Sequence, residues 1–202
     1  MATKKRTVKK FKPAKRAQSS GTSLPKLKWS EYEWRGQTTL PAGRGFHTKF
    51  PSNFPIRSKK PSTGKVKLTV STPDEQKVPP SPAQIRAFDY LVEHQQEVRD
   101  IILKAVMKAY PKKLAPWFVS GEPIPEVLAH LPKKFARPDE LKPHTYLATV
   151  YVLKQEKSGM AYIGYGLEAT WEVEHGLGIV MHGNRILDIG DEEVAVASDA
   201  ID

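Results

Sequence analysis

Two periods of hydrophobic spacing divide the chain. Residues 36–40 and 65–70 read as strands. In the second, Val66, Leu68 and Val70 alternate with Lys65, Lys67 and Thr69, so one face is buried and one is wet. Residues 146–153 are apolar on both alternations, which marks a central strand covered on both faces. A hairpin turn at Glu156, Lys157, Ser158 and Gly159 follows. Ala161, Ile163, Tyr165, Leu167, Ala169, Trp171 and Val173 then share one face, and Tyr162, Gly164, Gly166, Glu168, Thr170, Glu172 and Glu174 share the other. A straight strand that long exceeds the usual length, so Gly164 and Gly166 read as a bend or bulge. The chain is expected to reverse within residues 171–178, with Glu174 and His175 at the exposed corner. Strands over 177–181 and 185–189 then flank a Gly183-Asn184 turn.

Between these strand regions the period changes to that of a helix. Ile85, Phe88, Leu91, Val92, Val98, Ile101, Ile102, Ala105, Val106 and Ala109 recur at spacings of three and four. Arg86, Asp89, Glu93, Glu97, Asp100, Lys104 and Lys108 form the opposite stripe, with acids leading and lysines trailing as the helix dipole prefers. Ser81 is the expected N-cap, Pro82 fits the first helical position, and Gln84 completes a capping box. Pro111 ends the run. Its length of about 29 residues, ~43 Å at 1.5 Å per residue, leaves room for a break near Gln95-Gln96. Residues 73–82 read as a linker, 111–143 as proline-rich and irregular with a short helix over 125–131, and 190–202 as acidic and loosely specified. The fold class expected is α+β: an antiparallel sheet, made of a C-terminal four-strand meander plus N-terminal strands, with one long helix packed on one face.

Charge changes the picture only at the start. The net charge of +10 resides in residues 1–28, which hold ten basic residues and no acid, while the rest carries 22 basic and 22 acidic residues. This segment reads as a disordered tail because it has too little apolar surface to offset the entropy of ordering. Residues 29–202 then make a single domain. Lys4, Lys5, Arg6, Lys9, Lys10, Lys12, Lys15 and Arg16 would displace counterions from a polyanion, which makes non-specific nucleic-acid contact through the tail one candidate function. The other reading of the tail is a solubilising extension. No apolar run approaches the ~20 residues of a membrane helix, and no apolar leader opens the chain. The absence of cysteine excludes disulfides, thiolate zinc sites and a cysteine nucleophile, and suits a cytoplasmic setting.

The densest chemistry lies in Trp171-Glu172-Val173-Glu174-His175-Gly176-Leu177-Gly178. One reading is a tight corner with Trp171 and Val173 inside and Gly176 and Gly178 supplying special backbone geometry. The other makes Glu174 and His175 an exposed acid–imidazole pair for general acid–base work or partner contact. Neighbours in extended chain point to opposite sides, so that pair cooperates only if the backbone bends. The six histidines include no His-x-x-x-His pair. His175 and His182 stand ~23 Å apart along a strand, so no shared metal is expected. No nucleophile elbow occurs, and Gly164-Tyr165-Gly166 is not followed by a helix, so neither a serine hydrolase motif nor a phosphate loop is present and no cofactor is expected. Trp29, Tyr32 and Trp34 read as covering one sheet edge.

The Trp171, Glu174, His175, Gly176, Leu177, Gly178 pattern is followed by Met181-His182-Gly183-Asn184 and Ile189-Gly190-Asp191. Together with Pro82, Gln84 and Ala87 and the Ala161-to-Gly164 strand, it resembles an uncharacterised, mostly bacterial domain family of unknown function, over roughly residues 29–197. Val173 stands where acidic residues are common in such relatives. The resemblance implies no catalytic residues, and it implies settings of toxin immunity or contact systems. The leading expectation is therefore a small cytoplasmic protein-binding module, possibly immunity-like, that uses Glu174 and His175 with Trp171 as buried support and Gly176 at the bend. The alternatives are a hydrolase-type enzyme on the same loop and a nucleic-acid-associated protein acting through the tail.

Overall fold

A computed structural model describes residues 24–52, 54–114 and 129–197. The tail residues Lys4 to Arg16 and most of the expected helix over 125–131 fall outside the described residues. The protein is α+β: one long helix packs against a mostly antiparallel sheet of eight strands. The strands are β1 (Lys28–Ser30), β2 (Glu33–Thr39), β3 (His47–Thr48), β4 (Lys65–Ser71), β5 (His144–Lys157), β6 (Met160–Ala169), β7 (Glu172–His182) and β8 (Arg185–Gly190). Their order is β1-β2-β4-β5-β6-β7-β8, with β3 paired to β5 off that path.

One pairing departs from an all-antiparallel sheet. β4 and β5 run parallel, with Leu68 opposite Val150 and Val70 opposite Val152. Parallel neighbours need a crossover, and the helix α1 (Pro82–Ala109) supplies it. Ser81 caps α1 as the sequence demands. Its Oγ accepts from Gln84 N at 3.2 Å, and Gln84 Oε1 accepts from Ser81 N at 2.9 Å. The other end of the same amide does a second job. Gln84 Nε2 donates to Ser71 O at 2.7 Å and reaches Leu153 O at 3.2 Å, so a side chain only 3 % exposed ties the ends of the two parallel strands to the helix start.

The expected break in α1 falls at His94, whose φ of −106° and ψ of 17° leave the helical region. Its cause is Gln95, whose Nε2 donates to Val92 O at 3.0 Å, while its Oε1 accepts from Ala42 N at 3.0 Å. After Ala109 the backbone widens into a single π turn through Leu114, where Pro111 cannot continue an α ladder. Phe88, Leu91, Val98, Ile102 and Val106 bury one stripe of α1 against Leu68, Val70, Val150, Val152, Ile163, Ile179 and Met181.

The opposite sheet face is closed differently. A 3-10 turn, Glu192–Ala195, lies over β6 and β7. A Cβ added to Gly164 would stand 1.8 Å from Ala195 O, and one on Gly178 would stand 2.2 Å from Asp191 O. Gly164 and Gly166 therefore mark no bulge in their own strand. Pairing from Ile163 to Leu167 against β7 is regular, and the irregularity lies across from them at Ala148 in β5. Leu153, Tyr162 and Val180 form a small second cluster on this face, with Tyr151, Leu187 and Val194 against it.

At the β1 edge Trp29 stands opposite Trp34, and their rings meet edge to face at 5.3 Å. Tyr32 sits in the intervening turn and is exposed. Leu24 and Leu27 pack against the main core.

Candidate functional site

The expected corner is displaced. The chain reverses at Thr170 and Trp171, before the Glu174-His175 doublet, and both turn residues are buried. Thr170 N donates to His144 O at 3.0 Å, and Thr170 Oγ1 lies 2.9 Å from His144 Nδ1. Trp171 meets Tyr110 edge to face at 4.9 Å and Phe135 at 6.1 Å, and Tyr110 Oη donates to Pro132 O at 2.8 Å. Burial, followed by the charges of His130 and His47, pushes His144 down from its ordinary 6.5 to about 4. The imidazole behind the turn is therefore neutral at physiological pH.

Beyond the turn, β7 leaves its register. Ala169 pairs with Glu172 and Leu167 with Leu177, so residues 173–176 form an excursion opposite Glu168 alone. Glu172 Oε1 holds this excursion by accepting from Glu174 N at 3.2 Å and His175 N at 3.1 Å. The same oxygen lies 3.5 Å from His175 Nδ1. Gly176 returns the chain with φ of 67°, a conformation that disfavours any side chain, and a Cβ there would stand 2.9 Å from Leu167 O. Val173, expected inside, is 42 % exposed because it follows the reversal instead of preceding it. Glu174 is exposed, and the His175 side chain is 71 % exposed.

This excursion forms one wall of a surface cleft of about 270 Å³. Glu168, Glu172, Glu174 and Gly176 line it from β6 and β7, Glu192 from the 3-10 turn, and Phe50, Ile56, Arg57 and Lys59 from the loop after β3. Lys59 Nζ pairs with Glu168 Oε1 and sits 4.6 Å above the Tyr146 ring. Glu192 Oε1 accepts from Tyr151 Oη at 3.1 Å. His175 is not part of the wall, and its ring is turned to Glu172. The doublet is thus divided: Glu174 faces the cleft, and no ion pair joins it to His175 among the described residues. Among those residues no group of three or more histidines and acids is placed to hold a metal ion, and no helix is long and apolar enough to cross a membrane.

Of the residues singled out from sequence, Trp171, Glu174, His175 and Gly176 fall on one short stretch with the buried and exposed roles just described. Lys4, Lys5, Arg6, Lys9, Lys10, Lys12, Lys15 and Arg16 lie outside the described residues. Sequence reasoning passed over Glu172 as an anchor and the whole opposing wall. An acid placed two and three residues before a loop's amides was a usable signal for Glu172. The approach of Lys59 and Arg57, more than a hundred residues away, had none.

Residues 52–196 match the model of a family described as a domain of unknown function, DUF6985. The chain belongs to that family. The DUF6985 match takes in β4 to β8, α1, the 3-10 turn and the excursion, while β1, β2 and β3 precede it. No curated protein and no solved structure matches the chain.

Proposed function

We propose that this DUF6985 domain is a small cytoplasmic protein-binding module whose contact surface is the 173–176 excursion and the cleft beside it. One observation carries the reading. Glu172, Thr170 and Trp171 fix the backbone from below, while Val173, Glu174 and His175 present an apolar, an acidic and an imidazole side chain to solvent. Pre-organised display of mixed chemistry lowers the ordering cost of binding. The cleft wall carries four carboxylates against two basic groups. A partner that presents a basic side chain beside an apolar one, as an immunity-type complex would require, fits this surface. The hydrolase alternative draws on the concavity of the cleft, but it needs Glu174 and His175 to converge on one reacting atom, which their opposed placement does not favour.

The test is a comparative capture experiment with the full chain as bait. The Glu174→Ala/His175→Ala variant is expected to lose a protein that the wild type and a Lys65→Ala control both retain, with an unchanged unfolding temperature. Identical capture by all three baits would overturn the reading. A second contact is favoured by the charge distribution alone. With ten basic residues and no acid in residues 1–28, the tail suits a polyanion. Deleting residues 1–23 should abolish a steeply salt-dependent interaction with nucleic acid, and equal binding by the truncated chain would dismiss it.

A further inference from the structure

A second cavity, remote from the cleft, lies between the kink of α1 and the sheet. It measures about 60 Å³ and is walled by Phe46, by Leu91, Val98 and Ile102 of α1, and by Leu147 and Leu167 of the sheet. Three side chains in its lining carry polar atoms: Gln95, Arg99 and Tyr165. Two of these are occupied. Both ends of the Gln95 amide are hydrogen-bonded, to Ala42 N and Val92 O. Arg99 is engaged by Asp100 at 2.6 and 2.9 Å. Tyr165 differs. It is 3 % exposed, and among the described residues its hydroxyl makes no hydrogen bond.

A buried hydroxyl without a partner is costly, and the apolar surroundings offer a water molecule too few polar groups to replace its bulk contacts. The cavity has a direction as well as a size. It borders the one place where α1 departs from helical geometry, so the helix can shift there without breaking a regular ladder. We propose that this cavity is a binding site for a small, uncharged organic molecule, mostly hydrocarbon, that carries one hydrogen-bond acceptor addressed by Tyr165 Oη. Neutrality follows from the lining, since its single charged group is already paired. Size follows from the volume: a cavity well below the ~150 Å³ that accepts benzene suits about five heavy atoms.

Butanone and 2-methyl-1-butene test this directly, because they share a shape and differ in the acceptor. The readout is the methyl NMR shifts of Leu91, Val98, Ile102 and Leu147 in the full chain. Saturable shifts with butanone are expected. Tyr165→Phe should weaken butanone about fivefold, the equivalent of one neutral hydrogen bond, and leave the alkene unchanged. Val98→Phe, which fills the space, should abolish both sets of shifts. The proposal is overturned if the wild type shows no saturable shift with butanone, if Tyr165→Phe changes both probes equally or neither, or if shifts persist in Val98→Phe.

Discussion

The two faces of the sheet are closed by different means, and the difference decides where each can tolerate change. On one face α1 inserts side chains among side chains, with Phe88, Leu91 and Val106 meeting Val70, Val150 and Ile163. On the other, the backbone of residues 191–195 descends onto glycines, with no side chain between them at Gly164 and Gly178. Side-chain layers adjust to a lost or added methyl by repacking, at a modest penalty. A backbone seated on a backbone has no rotamer to yield. The glycine-floored face is also the one that supports the candidate surface, since Glu192 rises from that 3-10 turn into the cleft.

The sharpest way to break this contrast is a single methyl. Gly164→Ala should destabilise by about 3 kcal/mol or more, or release residues 191–197, because the new Cβ would overlap Ala195 O. Chemical denaturation combined with limited proteolysis separates those two outcomes. Gly43→Ala, beside the helix face, has nothing within 4 Å of its new methyl and should stay within about 0.5 kcal/mol of wild type. Equal effects at the two positions would dissolve the distinction.

On the helix face the largest effect should come from a polar residue. Gln84→Met keeps the volume but loses the cap bond to Ser81 N and leaves Ser71 O and Leu153 O without their donor. A loss of about 2–3 kcal/mol in a urea titration is expected. A loss near 0.5 kcal/mol would mean that the amide serves as a cap alone.

Smaller again is a pH effect at the turn. His144 titrates near 4 when folded and near 6.5 when free, so between those values the unfolded chain binds a proton that the folded chain refuses. Its contribution is fully present above pH 6.5 and is lost as pH falls toward 4. The magnitude is on the order of 1–2 kcal/mol after allowing for partial exposure to water. His144→Gln should flatten stability across that window. An unchanged slope would assign the acid sensitivity elsewhere.

Legibility in the sequence followed the range of the interactions involved. α1 was readable to its cap and its kink because Ser81, Gln84 and the apolar stripe act within a turn or two of themselves. The parallel pairing of β4 with β5 was not, since more than seventy residues separate the two strands and alternation is blind to direction. The corner was misplaced by a few residues for a specific reason. Trp171 is buried while turning, so the inward alternation from Ala161 runs on past the end of β6. Gly176 and Gly178 resembled turn glycines, whereas Gly178 serves a close approach to residues 191–195 and only Gly176 bends the chain. The exposure of Glu174 and His175 follows from the register break in β7, a feature that depends on what β6 offers opposite.

The smallest expected effect carries the most weight, because the account holds that the displayed side chains are separable from the scaffold beneath them. The deciding measurement is the urea midpoint of Glu174→Ala/His175→Ala in the full chain. Since Glu172 holds the excursion through the backbone amides of both positions, and those amides survive the substitution, the midpoint should correspond to a change within about 0.5 kcal/mol. A loss of about 2 kcal/mol or more would show that the two side chains hold the fold together, and the surface proposed for partner contact would have to be sought elsewhere.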